Sequence, residues 1–344
     1  MFTPIYTITD QLLANITTIN RLVQELNTRR FPKVILMEFE KTAREVSTYA
    51  STSIEGNPLP LTEVKRVLKS TPVNARESEK EIINYNQALE TLHQLLQSRR
   101  VALSVTLILT IHKQITAGLL PRFASGTFRQ KPVVVRDPRT GSTVFWPPDA
   151  DKVPGLISDL VTYVKENSYK VDPLILAGIF HKQMVIIHPF MDGNGRTARL
   201  ATKVLLANMG LNTFALFSFE NYYNQNVTKY FQTVGEHGDY NDRAASVDFT
   251  PWLEYFTGGL IDELLRVKKL LPEVGKTPDT RLEPHHLNIL EHIKKNGFIA
   301  DRDYARFTKR AKPTRALDFQ KLINLSLIER KGKGRSTYYT LKGT

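Results

Sequence analysis

The sequence contains no cysteine, which excludes disulfide bonds and thiolate metal ligands from whatever fold it adopts. It also lacks any apolar run of the roughly 18 residues needed to span a bilayer, so it predicts no membrane partner. Its first residues, MFTPIYTITDQLL, lack a basic region followed by an apolar core. They therefore predict no secretory signal, and the cytoplasm is the default location. Hydrophobic residues make up 41% of the 344-residue chain, which is sufficient for a buried core.

Acidic residues are few relative to basic ones, and the imbalance is uneven along the chain. The formal net charge is +13. Residues 281–344 hold fifteen Lys and Arg against six Asp and Glu, so +9 of that charge lies at the C-terminal end. Such asymmetry is typical of a region that meets an anionic partner.

Helical periodicity dominates the remaining pattern, so the sequence predicts a mainly α fold. Residues 272–280 have turn residues without periodicity, which indicates a linker. The pattern that follows, three short helices and two strands around Gly332 and Gly334, resembles a winged helix-turn-helix, whose third helix enters the DNA major groove. Binding of duplex DNA through residues 284–344 and docking of a protein on a solvated basic face both remain open. The predicted domains are an N-terminal helical region at 1–100, a core with closing helices at 101–271, a linker at 272–283 and the small domain at 284–344.

Residues 188–199, HPFMDGNGRTAR, concentrate the groups that handle a nucleoside triphosphate. A histidine can accept a proton from a hydroxyl, and an aspartate can hold Mg²⁺ through its oxygens. Glycines let the backbone approach phosphate oxygens because no Cβ intervenes. The asparagine amide can donate to an oxyanion, and the two arginines present planar forks that match phosphate.

The flanking sequence strengthens this interpretation. Residues 173–187 are apolar enough for a buried helix that Pro189 ends, and residues 197–209 predict a second helix that Gly210 ends. The Gly-Asn-Gly loop then leads into a helix N-terminus, where free N–H groups attract anions. The alternative is a buried helical hairpin with a glycine turn and incidental charges, and the combination of groups in this order disfavours it.

This stretch resembles the signature of the Fic domain, HPFxDGNGRxxR, at all nine fixed positions. Fic proteins are mostly helical, and most of them transfer AMP from ATP to a Ser, Thr or Tyr hydroxyl of a target protein and release pyrophosphate. The resemblance implies ATP as substrate and Mg²⁺ as cofactor. It implies His188 as general base, Phe190 as a core anchor of the loop and Asp192 as the Mg²⁺ ligand. The implied phosphate-binding residues are Gly193, Asn194, Gly195, Arg196 and Arg199.

Residues 126–148 resemble the β-hairpin flap of the same family. Valines alternate on one arm, residues 137–141 supply turn chemistry, and Thr143-Val-Phe forms the return arm. In the family this hairpin pairs with an extended target segment and holds the target hydroxyl over the motif histidine. Val144 and Phe145 are therefore the expected target-binding residues. A surface hairpin packed on helices is the plain alternative.

Residues 51–56, STSIEG, resemble the family's inhibitory motif, Ser/Thr-x-x-x-Glu-Gly/Asn, with Ser51, Glu55 and Gly56 at its fixed positions. In relatives of this arrangement the glutamate forms a salt bridge with the second arginine of the signature, here Arg199. That bridge occupies the place of the γ-phosphate and leaves ATP in an unreactive pose, so the resemblance implies autoinhibition. The plain alternative is a helix C-terminus that Gly56 caps.

Residues 218–231 resemble the family helix whose aromatic and amide groups face the adenine base. Asn226, Tyr230 and Phe231 are the candidates. An aromatic stripe at helical spacing belongs more often to the core than to a ligand pocket, and that alternative stays open here.

Two functions of different classes follow from these patterns. The first is an autoinhibited protein adenylyltransferase whose tail domain selects a target protein. The second is a DNA-binding transcriptional regulator in which the Fic unit senses a nucleotide. His188 favours the first, because a sensor needs no general base. The sequence does not name the target, and it leaves a monomer and a homodimer open.

Overall fold

The computed structural model describes residues 2–29, 33–98, 101–137, 140–271, 282–325 and 327–342. The chain divides into two compact units, of which the first comprises Met1–Val23 and Ala43–Leu264 and the second Gln24–Thr42 and Leu265–Thr344. Of the linker predicted at 272–283, residues 272–281 lie outside the described residues. The second unit also includes residues 24–42, which the sequence pattern assigned to the N-terminal region. The other predicted domain boundaries stay predictions.

The first unit is built mainly from helices, and the predicted mainly α fold is confirmed. Among the residues described, no helix combines the length and apolar character that a membrane crossing needs. In whole or in large part the first unit holds α1 (Asp10–Asn27), α2 (Lys33–Ile54), α3 (Leu61–Ser70), α4 (Glu77–Ser98), α5 (Val105–Ile115), α6 (Val153–Asn167), α7 (Pro173–Ile187), α8 (Asn194–Leu206), α9 (Glu220–Gln225), α10 (Val227–Val234), α11 (Tyr240–Arg243) and α12 (Thr250–Leu270).

Helix α7 forms the centre of this unit and is buried on nearly every face. A helix that is apolar all round belongs in a core, which is what its sequence indicated. Asp172 caps its first turn. Helix α12 lies close against it because Gly178 has no side chain: a Cβ there would stand 2.5 Å from Leu253 Cδ2. Trp252 Nε1 also donates to the Gly178 carbonyl at 2.8 Å. The motif loop therefore follows directly after a helix whose position is fixed by its packing against α12.

A three-stranded sheet accompanies the helices of the first unit. Strands β1 (Val135–Arg136) and β2 (Thr143–Trp146) form the expected antiparallel hairpin, with residues 138 and 139 of its turn outside the described residues. Strand β3 (Gly238–Asp239) then pairs in parallel with β2, placing Gly238 opposite Phe145 and Asp239 opposite Trp146. Strand β2 thus lies between β1 and β3 and is paired on both sides at Phe145, whereas Trp146 is paired only with Asp239 of β3.

The second unit contains α13 (Pro284–Asn296), α14 (Asp301–Tyr304), α15 (Lys312–Asn324) and the antiparallel strands β4 (Ile328–Lys331) and β5 (Tyr338–Leu341). These elements follow the predicted order, and the winged-helix assignment itself stays a prediction. Asp318 is a buried polar centre of this unit. Its carboxylate accepts from the Tyr304 hydroxyl and from Arg310 Nε, each at 2.8 Å. The Nε2 atoms of His285 and His286 lie 3.3 Å and 3.6 Å from the same carboxylate.

Candidate active site

His188 stands at the end of α7 with a left-handed backbone, φ 49°, which lets the chain turn into Pro189. The ring is half-buried, and its Nδ1 lies 3.3 Å from the Val185 carbonyl. Since a carbonyl only accepts, Nδ1 carries the proton and Nε2 keeps its lone pair. Burial lowers the pKa of His188 below its ordinary value, against the opposing effect of the Val185 hydrogen bond. The imidazole is therefore neutral and can act as a base.

Asn194 closes the motif loop upon itself. Its Oδ1 accepts from the Phe190 N–H at 2.8 Å, and its Nδ2 donates to the Phe190 carbonyl at 2.9 Å. Phe190 is fully buried and stacks on His112 with ring centroids 3.7 Å apart. These two bonds use Oδ1 and one of the two Nδ2 hydrogens, so the phosphate-binding role of Asn194 stays a prediction. Asn194 is also the first residue of α8, whose N-terminal N–H groups are further donors for an anion.

The two glycines of the motif serve different geometric needs. Gly193 has φ 79°, a left-handed conformation that L side chains rarely adopt, and it is the N-cap residue that precedes α8. Gly195 lies directly beneath Glu55, since a Cβ at this position would collide with Glu55 Oε1 and stand 3.0 Å from Arg199 Nη1. The backbone at Gly195 is thus open to a negatively charged group, and a carboxylate occupies that place.

Arg196 is nearly buried and holds two carboxylates. Its Nη2 donates to Asp192 Oδ2 at 2.9 Å, and its Nη1 lies 2.6 Å from Glu81 Oε1. The Asp192 side chain is 56% exposed. A carboxylate this open fits a Mg²⁺ ion that keeps most of its waters and takes one protein ligand together with phosphate oxygens.

Arg199 is fully buried, and three of its hydrogen bonds lead to the predicted inhibitory segment. Its Nε donates to Ser51 Oγ at 2.8 Å, and its Nη2 donates to the Ser51 carbonyl at 2.9 Å and to Glu55 Oε1 at 2.7 Å. Burial alone lowers the pKa of Arg199, but the charge and hydrogen bond of Glu55, together with Tyr230 and Tyr85, outweigh it and raise the pKa above its ordinary value. The structure therefore brings Ser51, Glu55 and Arg199 together. Gly56, at φ 93°, ends the turn that presents Glu55.

The three adenine-side candidates lie in different environments. Tyr230 is buried, and its hydroxyl lies 2.9 Å from His181 Nε2 and 3.4 Å from Arg199 Nη1. Its hydroxyl therefore contacts the Arg199 guanidinium, and its role on the adenine side stays a prediction. Asn226 caps α10 by accepting from the Lys229 N–H at 3.0 Å. Phe231 is half-buried and stays a prediction.

The flap presents its backbone rather than the side chain of Phe145. Phe145 is buried and Val144 is half-buried, whereas Trp146 is 47% exposed. An extended peptide that pairs with this sheet would contact main-chain groups, which does not require Phe145 to be free. The target-binding role of Val144 and Phe145 stays a prediction.

Three residues that contact the motif were not identified from the sequence. Arg129 is buried and donates to the carbonyls of His188 and Pro148, so it joins the motif loop to the end of the flap. His112 accepts from the Gly126 N–H at 2.9 Å and lies 3.0 Å from the Asp192 carbonyl, and burial lowers its pKa to about 4. Glu81 pairs with Arg196. None of them stands near the motif in sequence, so no local pattern could mark them.

Comparison with known proteins places this geometry in a family context. The model of the Fic/DOC family matches residues 102–206, a range that includes the whole motif. The chain contains a Fic domain. The protein adenylyltransferase fic-1 of Caenorhabditis elegans is 30% identical over 167 residues, 47% of this chain and 31% of that protein. The protein adenylyltransferase Fic of Aedes aegypti is 26% identical over 219 residues, 58% of this chain and 42% of that protein.

Solved Fic structures have the same fold. A crystal structure of a Fic family protein from Desulfovibrio desulfuricans superposes with a TM-score of 0.65 at 23% identity, covering 100% of this chain and 99% of that chain. Fic-1 of Caenorhabditis elegans gives a TM-score of 0.58 at 22% identity over 75% of this chain and 72% of that chain. At this identity the likeness concerns the fold. This chain spans 31% of the length of the curated nematode relative.

Proposed function

We propose that this protein is a protein adenylyltransferase that transfers AMP from ATP to a Ser, Thr or Tyr hydroxyl of a target protein, and that Glu55 holds it inactive. The observation that carries the proposal is the convergence of a neutral His188, the N-terminus of α8 and two buried arginines in one motif. The similarity to curated protein adenylyltransferases supports the choice of ATP as substrate.

The residues divide the reaction between them. His188 Nε2 takes the proton of the target hydroxyl, whose oxygen then forms a bond to the α-phosphorus of ATP. The bond from that phosphorus to the oxygen bridging to the β-phosphate breaks, and its electron pair leaves with pyrophosphate. The N–H groups at the start of α8 and the guanidinium groups of Arg196 and Arg199 neutralise the phosphate charge. Asp192 is the residue that would hold Mg²⁺, which supplies further charge neutralisation at the phosphates.

Glu55 is the proposed brake on this reaction. Its carboxylate lies over Gly195 and bonds Arg199, the two groups that a terminal phosphate would need. Arg199 is fully buried and already bonds Ser51 twice. A γ-phosphate can therefore reach Arg199 only if Glu55 moves aside, because two anions in one low-dielectric site repel each other strongly. ATP that enters beside Glu55 is expected to lie with its α-phosphate turned away from His188.

Target recognition is proposed to use the flap. Because β2 lies between β1 and β3, the free edge of β1, the other arm of the hairpin, is the place where an extended target segment would add to the sheet.

A DNA-binding regulator is the second candidate, favoured by the +9 charge of residues 281–344. The described part of α15 argues against base readout. Arg315 is held by both oxygens of Asp301 at 2.8 Å, and Arg310 by Asp318. Leu317, an apolar residue of α15, is 68% exposed. We therefore expect this winged-helix-like region to select a protein partner, with any DNA contact made through phosphates.

The proposal is tested by incubating the Glu55→Gly variant with ATP and Mg²⁺ and measuring the intact mass of the protein. Addition of one AMP group, lost in a Glu55→Gly, His188→Ala double variant, is the expected result. Hydrolysis of ATP without any covalent AMP, on this protein or on proteins added to it, would contradict adenylyl transfer.

A further inference from the structure

Glu81 is a carboxylate that the proposed reaction does not use, yet it contacts the reaction's phosphate-binding machinery. It lies on α4, and its Oε1 is 2.6 Å from Arg196 Nη1. The side chains are 15% and 5% exposed, so solvent screens this pair only weakly. The other terminal nitrogen of Arg196 already donates to Asp192. Among the contacts of the described residues, both prongs of the guanidinium fork are therefore engaged by carboxylates.

Asn57 fixes Glu81 in this position. Its Nδ2 donates to Glu81 Oε2 at 2.6 Å and to the Ser78 carbonyl at 2.9 Å. Asn57 follows Glu55 by two residues, and its N–H bonds the Thr52 carbonyl at 3.1 Å. The turn that carries Glu55 towards Arg199 thus also anchors Glu81 against Arg196.

Around the two phosphate-binding arginines, carboxylates outnumber guanidinium groups, which is unfavourable for an incoming polyphosphate. Glu55, Glu81 and Asp192 face Arg196 and Arg199, and burial together with the charges of Glu55 and Asp192 raises the pKa of Glu81, against the opposing effect of Arg196. Glu55 and Asp192 are thus both close enough to Glu81 to repel its carboxylate. A triphosphate entering this site would add anionic charge to a cluster that already has more carboxylates than guanidinium groups. Asp192 would hold the Mg²⁺ ion. The repulsion between the carboxylates and the incoming phosphates can therefore be reduced only if Glu55 and Glu81 move away.

We infer that Glu81 is a second inhibitory carboxylate, which occupies Arg196 as Glu55 occupies Arg199. The effect of Glu81 on catalysis rests on the proposed function, whereas its effect on polyphosphate binding does not. In the resting state Glu81 competes with phosphate oxygens for the Arg196 guanidinium. Removal of its charge frees one prong of the fork and increases the affinity of the site for polyphosphate.

The direct test uses binding of inorganic tripolyphosphate, which needs no catalysis. Isothermal calorimetry on the full chain compares wild type, Glu81→Gln and Glu79→Gln. Glu79 is the matched control, because it lies on the same helix and is paired with Arg76 at 2.9 Å. Glu81→Gln is expected to lower the Kd about tenfold, the scale of losing one close and partly desolvated like charge. Glu79→Gln is expected to leave the Kd within about twofold of wild type.

An unchanged or higher Kd in Glu81→Gln overturns the inference, since Glu81 would then be a spectator or a support of Arg196. If Glu81→Gln does not fold, Glu81→Asp withdraws the carboxylate by one methylene and carries the same expectation. A second measurement compares AMP incorporation in Glu55→Gly with that in Glu55→Gly, Glu81→Gln, where the double variant is expected to be faster. Absence of incorporation in both variants refutes the proposed function, whereas the tripolyphosphate result still decides the role of Glu81.

Discussion

Glu55 and Arg199 are 144 residues apart in the chain, yet Glu55 Oε1 accepts from Arg199 Nη2 at 2.7 Å in a region where the guanidinium is fully buried. Removing one partner of a buried pair typically costs roughly 3–5 kcal/mol, and the partial exposure of Glu55 makes that an upper bound here. A γ-phosphate offers Arg199 an alternative counter-ion. Loss of Glu55 should therefore favour productive ATP binding instead of only weakening the fold.

The first prediction concerns the general base. His188→Ala should reduce AMP transfer by about 10²–10⁴-fold, the usual cost of losing a positioned base. Binding of ATP should stay nearly unchanged, because the phosphate contacts come from α8 and the arginines. The measurement is the rate of label incorporation in a Glu55→Gly background, together with the Kd for ATP. Equal rates with and without His188 would remove this residue from the reaction.

The second prediction is the pH dependence of transfer. His188 must be neutral to accept a proton, and burial lowers its pKa below the ordinary 6.5. The neutral form therefore dominates at pH 6.5, where an ordinary histidine is half protonated. Initial rates of the Glu55→Gly variant, measured from pH 5 to pH 8, should fall towards low pH with a midpoint below pH 6.5. A midpoint at or above pH 6.5 would mean that another group limits the reaction.

The third prediction concerns the close approach at Gly195. A methyl group there would stand 3.0 Å from Arg199 Nη1 and fill the space where Glu55 lies. In a Glu55→Gly background, Gly195→Ala should slow transfer on the order of 10²-fold, since small misplacements of a bound phosphate are costly. Gly155→Ala is the matched control, because a Cβ there meets nothing within 4 Å. Similar rates for both variants would show that the backbone at Gly195 does not approach the nucleotide.

The fourth prediction addresses DNA binding by the basic second unit. With Arg310 and Arg315 held by Asp318 and Asp301, any binding should be made through phosphates and lack sequence preference. Fluorescence anisotropy with two unrelated duplexes should give equal affinities that fall with salt, at a log–log slope of about −0.9 per neutralised phosphate. A sequence preference greater than tenfold would instead favour the DNA-binding regulator.

Much of the local structure was predictable because its causes are local. The helix predicted at residues 173–187 is observed at Pro173–Ile187, since Asp172 caps it and Pro189 follows its end. The helix predicted at residues 197–209 starts earlier, at Asn194, because Gly193 adopts a left-handed conformation that lets the chain enter the helix directly. The prediction placed this start too late, since the glycine was interpreted as loop.

The contacts that assemble the site were less accessible from the sequence. Strand β3 is two residues long and pairs with β2 across about ninety residues of chain, a distance at which no short pattern acts. Arg129, Glu81 and His112 reach the motif from other elements, and each is an ordinary polar residue in its own segment. The Glu55–Arg199 contact was predicted only through resemblance to a family. The contacts of the Tyr230 hydroxyl with the buried His181 and Arg199 likewise join residues that are distant in the sequence.

The most direct test of the central claim is autolabelling by ATP that carries its label on the α-phosphate. Wild type, Glu55→Gly, Arg199→Ala and the double variant are compared at equal concentration. The wild type should be nearly silent, and Glu55→Gly should label rapidly. Arg199→Ala and the double variant should stay slow, because the phosphate clamp is lost together with the brake. If wild type labels as fast as Glu55→Gly, the Glu55–Arg199 bridge is not inhibitory, and residues 51–56 are only the capped end of α2.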